Sequence, residues 1–171
     1  MVICLIHSFI HKCIIKQLCF IECLGRINGM QETFFTSKQA AEITGCTLRQ
    51  LQYWREKGVV VPTISGTGTG RSVYYSRSEL VELAVMEYCL GVGLSFEVAA
   101  ATVKQLKAKE PEFANPRVSR HFMLQWDGKK RSLELVEFDL ERAIASVKEG
   151  KPVISLRLDE IYRRLKEKLV I

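Results

Sequence analysis

Three stretches of this chain pair a hydroxyl residue with a glutamine or glutamate three positions on: "TSKQ" from Thr36, "TLRQ" from Thr47 and "SRSE" from Ser76. In each, the hydroxyl can accept from the third backbone N–H of a helix while the longer side chain reaches back to the cap's own N–H. Such a box fixes where a helix begins. Gly45 and Gly58 stand where a left-handed residue would end the first two helices, so both must be short. The first is expected over Ser37–Thr44. The second starts after Thr47, and a glycine turn joins the pair into a helix-turn-helix candidate.

At about 100° per residue, Leu48, Leu51 and Trp54 share one side of the second helix, and Arg49, Tyr53 and Glu56 share another. The first side is expected to pack and the second to face outward. Gln50 and Lys57 flank the outward side, and Arg55 lies near the packed edge with its stem along apolar surface. A solvated polar face is the plain alternative. A tyrosine one turn beyond an arginine, just after a turn of this length, favours a contact surface instead. Downstream, "TISGTGTGRSVYY" reads as a hairpin in which Val59 to Val61 pair with Val73 to Tyr75. Its glycines are not a phosphate loop, because no lysine follows them before a helix. Read as a wing, the hairpin places Arg71 at its tip, in reach of backbone phosphates.

After the third capping box, "LVELAVMEYCLGVG" carries two apolar stripes and predicts a helix buried on two sides. A new helix starts at Ser95 and stops before Pro111 and Pro116, which bracket a polar connector. The last third alternates around Asp127 and Gly128, a hairpin signal. It continues with a helix capped by Asp139 that carries Leu140, Ala143, Ile144 and Val147 on one face. A short strand at "KPVISLRL" and an amphipathic helix along Ile161, Leu165 and Leu169 complete it. The fold class is therefore α+β, a mainly helical winged helix-turn-helix domain at 30–109, a linker at 110–118 and a small ββαβα module at 119–171 for oligomerisation or effector binding. That module is near the lower size limit for folding alone.

The formal net charge is +6, which favours polyanionic partners. Residues 1–29 are apolar but interrupted by His11, Lys12, Lys16 and Glu22, a poor spanning helix and a poor signal peptide. They are expected to be a disordered leader or upstream sequence from a start codon called too early, with a membrane-surface anchor as the rival. Without them the charge excess drops by two. Four of six cysteines fall there, and no zinc or disulfide spacing occurs, so reduced thiols, no metal and no cofactor are expected. His121 is the one histidine after Met30, with no evident partner for catalysis, so no enzyme is expected. Trp126 and Tyr162 either pack or line a pocket.

The run from Phe34 to Leu106, and within it "AAEITGCTLRQLQYW", "REKGVVVP", "VYYSRSEL" and "GLSFEVA", resembles the winged helix-turn-helix domain of MerR-type transcriptional regulators. The resemblance implies that the second helix enters the major groove, that Arg49 and Tyr53 contact DNA and that the wing grips the neighbouring backbone. The DNA-facing set then comprises Ser37, Lys38, Thr47, Arg49, Gln50, Gln52, Tyr53 and Lys57 from the helices, with Arg71, Ser72 and Tyr75 from the wing. Gln52 and Val73 stand where the family often has arginine, which weakens the expected salt dependence. The family's long dimerisation helix and cysteine effector site have no counterpart here. The implied function is a sequence-specific regulator, a homodimer on an inverted repeat of double-stranded DNA, in the cytoplasm at the nucleoid, with RNA polymerase at the promoter and no membrane. The alternative is an architectural or excisionase-like DNA-binding protein without an effector.

Overall fold

The computed structural model describes residues 33–66, 72–113 and 120–169. The expectations for residues 1–29, for Arg71 and for most of the linker lie outside the described residues. The elements run β1 (Phe35–Thr36), α1 (Ser37–Thr44), α2 (Leu48–Glu56), β2 (Ile64–Ser65), β3 (Val73–Tyr75), α3 (Arg77–Gly91), α4 (Phe96–Lys109), β4 (His121–Asp127), β5 (Ser132–Glu137), α5 (Leu140–Lys148), β6 (Val153–Arg157) and α6 (Leu158–Leu169). Helices and two three-stranded sheets make the described chain mixed α and β.

All three capping boxes form. Thr36, Thr47 and Ser76 each accept from the backbone of the residue three positions on, and that residue's side chain accepts from the cap's N–H at 3.0, 2.7 and 2.7 Å. α3 is the spine of the structure. Every residue from Glu79 to Met86 is buried, which a helix sustains only when covered on all sides. Glu82 is the costly member of that run. Lys107 of α4 reaches it at 2.9 Å, and burial still raises its carboxyl above the usual range against the pull of that lysine.

The wing differs from expectation. Val59–Val61 do not pair with β3; instead Ile64 and Ser65 oppose Tyr74 and Val73. Gly58, at φ +66, turns the chain so that the Val59 N–H closes on the Trp54 carbonyl at 2.9 Å. Val60 then drops into the core, and Pro62 has no N–H for a ladder. On the other edge β3 pairs with β1, which the sequence reading did not anticipate, and Phe35 lies opposite Tyr75.

The ββαβα order is as expected, with strand order β5-β4-β6. Leu124 opposes Leu135 and Phe122 opposes Leu156. These four side chains share one face and join Leu80, Leu83, Met86 and Leu106 in a continuous core. From Thr33 onward the chain is one compact unit. α6 lays Ile161 and Leu165 into that core and packs on α1 and α3. Both outer strands of this sheet are tied to the helices through backbone groups that β4 does not use. Gln105 of α4 accepts from the Leu135 N–H at 2.9 Å, and the Tyr88 hydroxyl of α3 donates to the Ser155 carbonyl.

Candidate nucleic-acid interface

The geometry of α2 follows from how its two ends and two side chains are held. At the start, Gly45 at φ +83 lets the chain leave α1 with its N–H on the Ala41 carbonyl. Cys46 is then buried with its thiol toward the Leu83 carbonyl of α3 at 3.8 Å. Burial pushes that thiol up to about 11, and likewise Cys89 up to about 12, so both remain protonated, packed groups at neutral pH. Along α2 itself, Leu51 and Trp54 are 2% and 1% exposed. They fix which side of the helix turns to solvent.

That solvent side carries Arg49, Gln52, Tyr53 and Glu56, all exposed. Tyr53 packs its ring against Phe96 at the start of α4, with centroids 5.0 Å apart. Lys57 stands over the same ring at 5.5 Å. Gln52 donates to Glu56 at 2.9 Å, which partly occupies both. Thr47 is exposed and Gln50 half-buried, and each spends its side-chain oxygen on the helix cap. Their first effect is to stiffen the N-terminus of α2, leaving the Gln50 amide hydrogens to reach a ligand. Beyond Lys57, Lys104 and Lys107 line a shallow depression of about 690 Å³ floored by Ala100, Ala101 and Ala108. Lys104 carries positive charge onward from Lys57, whereas the charge of Lys107 is matched by Glu82.

Two expectations need correction. Tyr75, expected at a DNA surface, is 1% exposed. It faces the core beside Phe35, and burial raises its hydroxyl against the charge of Arg55. Tyr74 is the half-exposed member of the pair. Leu48, expected on the packed side, is 55% exposed. It lies about a quarter-turn from the direction shared by Leu51 and Trp54, and as the first helical residue it has no preceding turn to cover. Sequence periodicity therefore missed an apolar side chain at the leading end of α2. Ser37 is half-buried and Lys38 exposed in the first turn of α1, and Ser72 is exposed at the foot of the wing.

The sequence reading also left His121 without a partner. Its Nε2 lies 2.8 Å from Ser155 Oγ across β4 and β6, and its ring stacks on Phe138 at 3.8 Å. Burial and the nearby Arg157 lower its pKa, opposed by Asp159. Asp159 is itself bonded to Arg157 across the junction of β6 and α6. Trp126 is half-buried. Tyr162 is also half-buried and packs on the core, with its hydroxyl enclosed and lacking a partner among the described residues.

No helix among the described residues is long and apolar enough to cross a membrane. A family model described as MerR HTH family regulatory protein matches residues 35–106. That span runs from β1 to within four residues of the end of α4. Uncharacterized HTH-type transcriptional regulators of Mycobacterium bovis and of two strains of Mycobacterium tuberculosis are each 32% identical over 76 residues. The match takes in 44% of this chain and 34% of each relative, so the chain spans about a third of their length. The capped helix pair, its glycine turn, the wing sheet and the α3–α4 support all lie within the matched segment, so residues 35–106 are similar to the MerR helix-turn-helix family.

Proposed function

We propose that this chain regulates transcription by binding double-stranded DNA, with α2 in the major groove and the wing along the flanking backbone. One observation carries the reading. Leu51 and Trp54 are clamped into the core while Arg49, Gln52 and Tyr53 on the same nine-residue helix stand in water. A helix so anchored offers a fixed row of side chains to a groove that admits an α-helix. Arg49 reads guanine bidentately or holds a phosphate, and the Tyr53 hydroxyl bonds a phosphate oxygen. Leu48 meets a thymine methyl. Lys38, Lys57 and Arg71 supply phosphate contacts, with Ser37 and Ser72 as shorter donors.

The functional unit is a homodimer on an inverted repeat, since a two-fold protein on pseudo-symmetric DNA doubles each contact. RNA polymerase at the same promoter is the machinery it acts on. Selection of bound sites from random duplex DNA tests this. The expected result is an inverted repeat bound by the full chain and bound more weakly by Arg49→Ala. Lys38→Ala should reduce the slope of log affinity against log salt by about one unit per subunit. Equal affinity for scrambled DNA would remove the regulator reading, and an extended cooperative footprint without a dyad would replace it with an architectural one.

A further inference from the structure

α5 covers the far face of the C-terminal sheet, the one carrying Met123 and Gln125, and it does so with an unusual residue. Its one fully buried member is Ser146, 4% exposed, whose hydroxyl takes a hydrogen bond from Gln125 Nε2. Arg142 donates to the other end of the same amide at 3.2 Å. This short network sets the rotation of the helix. The three large apolar residues of α5 are consequently left outside: Leu140 is 63% exposed, Ile144 47% and Val147 64%. At about 100° per residue they fall within roughly 60° of one another, and Ser146 lies roughly 120° from their centre. Burying a side chain of this kind is worth about 1.5–3 kcal/mol, so a continuous stripe of three marks a contact surface.

The charges beside the stripe say what covers it. Glu141 and Lys148 lie on the same flank, one before and one after Ile144, and neither joins an ion pair among the described residues. We propose that a second copy of this chain docks here, α5 antiparallel to α5 about a two-fold axis at Ile144. The proposal rests on the homodimer reading above and names its surface. Ile144 then meets the partner's Ile144, Leu140 meets the partner's Val147, and Glu141 faces the partner's Lys148, twice by symmetry. Only an antiparallel two-fold pair keeps this flank of both copies on the same edge of the contact, where its opposite charges at the two ends of α5 complement each other.

The place of α5 in the fold agrees with this role. One face of the sheet is sealed by the helices and the other by α5, which makes α5 the outermost layer and leaves α2 unobstructed. Three side chains fall well short of the about 800 Å² per partner of a standard interface. The pairing is therefore concentration-dependent in free solution and is strengthened when two half-sites hold both copies on one duplex.

Sedimentation velocity of the full chain over a range of concentrations tests the proposal, with circular dichroism to report folding. The wild type should show a reversible monomer–dimer equilibrium, weakened about tenfold or more by Ile144→Glu. Glu141→Lys should weaken it through like charges, and Glu141→Lys with Lys148→Glu should restore it to near the wild-type value. That rescue cannot come from a folding defect. A dimer indifferent to Ile144→Glu, or no rescue by the double exchange, would overturn the α5 surface while the homodimer reading stands. A chain that is monomeric at every concentration and on DNA would overturn both.

Discussion

α2 and α5 are both nine residues long, both start at a polar N-cap and both carry apolar residues along one stripe, yet they are mounted in opposite senses. α2 turns Leu51 and Trp54 inward and presents charge and amide. α5 turns Ser146 inward and presents Leu140, Ile144 and Val147. The difference lies in what each helix rests on. α2 packs on α1 and sends Leu51 and Trp54 into the apolar core, where burial of a tryptophan is a large favourable term. α5 meets the side of a sheet that offers the Gln125 amide, and an amide left without a partner costs about 1–3 kcal/mol. A helix's own periodicity states which residues lie together; the neighbour decides which way they point.

Substitutions can break that contrast at each point. The largest effect is expected from Trp54→Ala, which should lower unfolding free energy by about 3–5 kcal/mol in urea titration. A loss below 1 kcal/mol would mean that α2 is not anchored as described. Arg49→Ala should weaken operator binding by about 1–3 kcal/mol, roughly 5- to 150-fold, in fluorescence anisotropy with the thermal midpoint unchanged. An equal drop in stability would move Arg49 from reading DNA to supporting the fold. Ser146→Ala should cost about 1 kcal/mol, because the Gln125 amide loses its acceptor. The smallest effect is expected from Ile144→Ser, within about 0.5 kcal/mol in dilute, monomeric protein. A core-sized penalty there would make the two helices alike after all.

Much of this was legible from sequence wherever the deciding contacts are local. The capping boxes at Thr36, Thr47 and Ser76 join atoms three residues apart, so the starts of α1, α2 and α3 could be read directly. Gly45 and Gly58 ended their helices through backbone geometry that needs no distant partner. What failed depended on elements remote in sequence. β3 alternates, which requires Tyr74 and Tyr75 to face opposite ways but does not say which is inside. That was decided by β1, whose Phe35 lies across from Tyr75. The strand opposite β3 was misplaced because Gly58 and Pro62 together divert Val59–Val61 from any ladder. Leu48 obeyed the stripe in angle only approximately, and a quarter-turn at a helix end separates core from solvent. For the interface, Arg49 and Tyr53 were readable as outward residues, whereas the Phe96 ring under Tyr53 comes from a helix 43 positions on.

The bonds from Gln105 to Leu135 and from Tyr88 to Ser155 have a consequence beyond geometry. A short three-stranded sheet has two raw margins, and each is an invitation for another molecule to extend the ladder into a fibre. Here the helical half occupies one backbone group on each margin with a single side chain, so an added strand cannot run its ladder unbroken past either point. Severed from those helices, the last third of the chain would present both margins without these two interruptions and be more prone to polymerise.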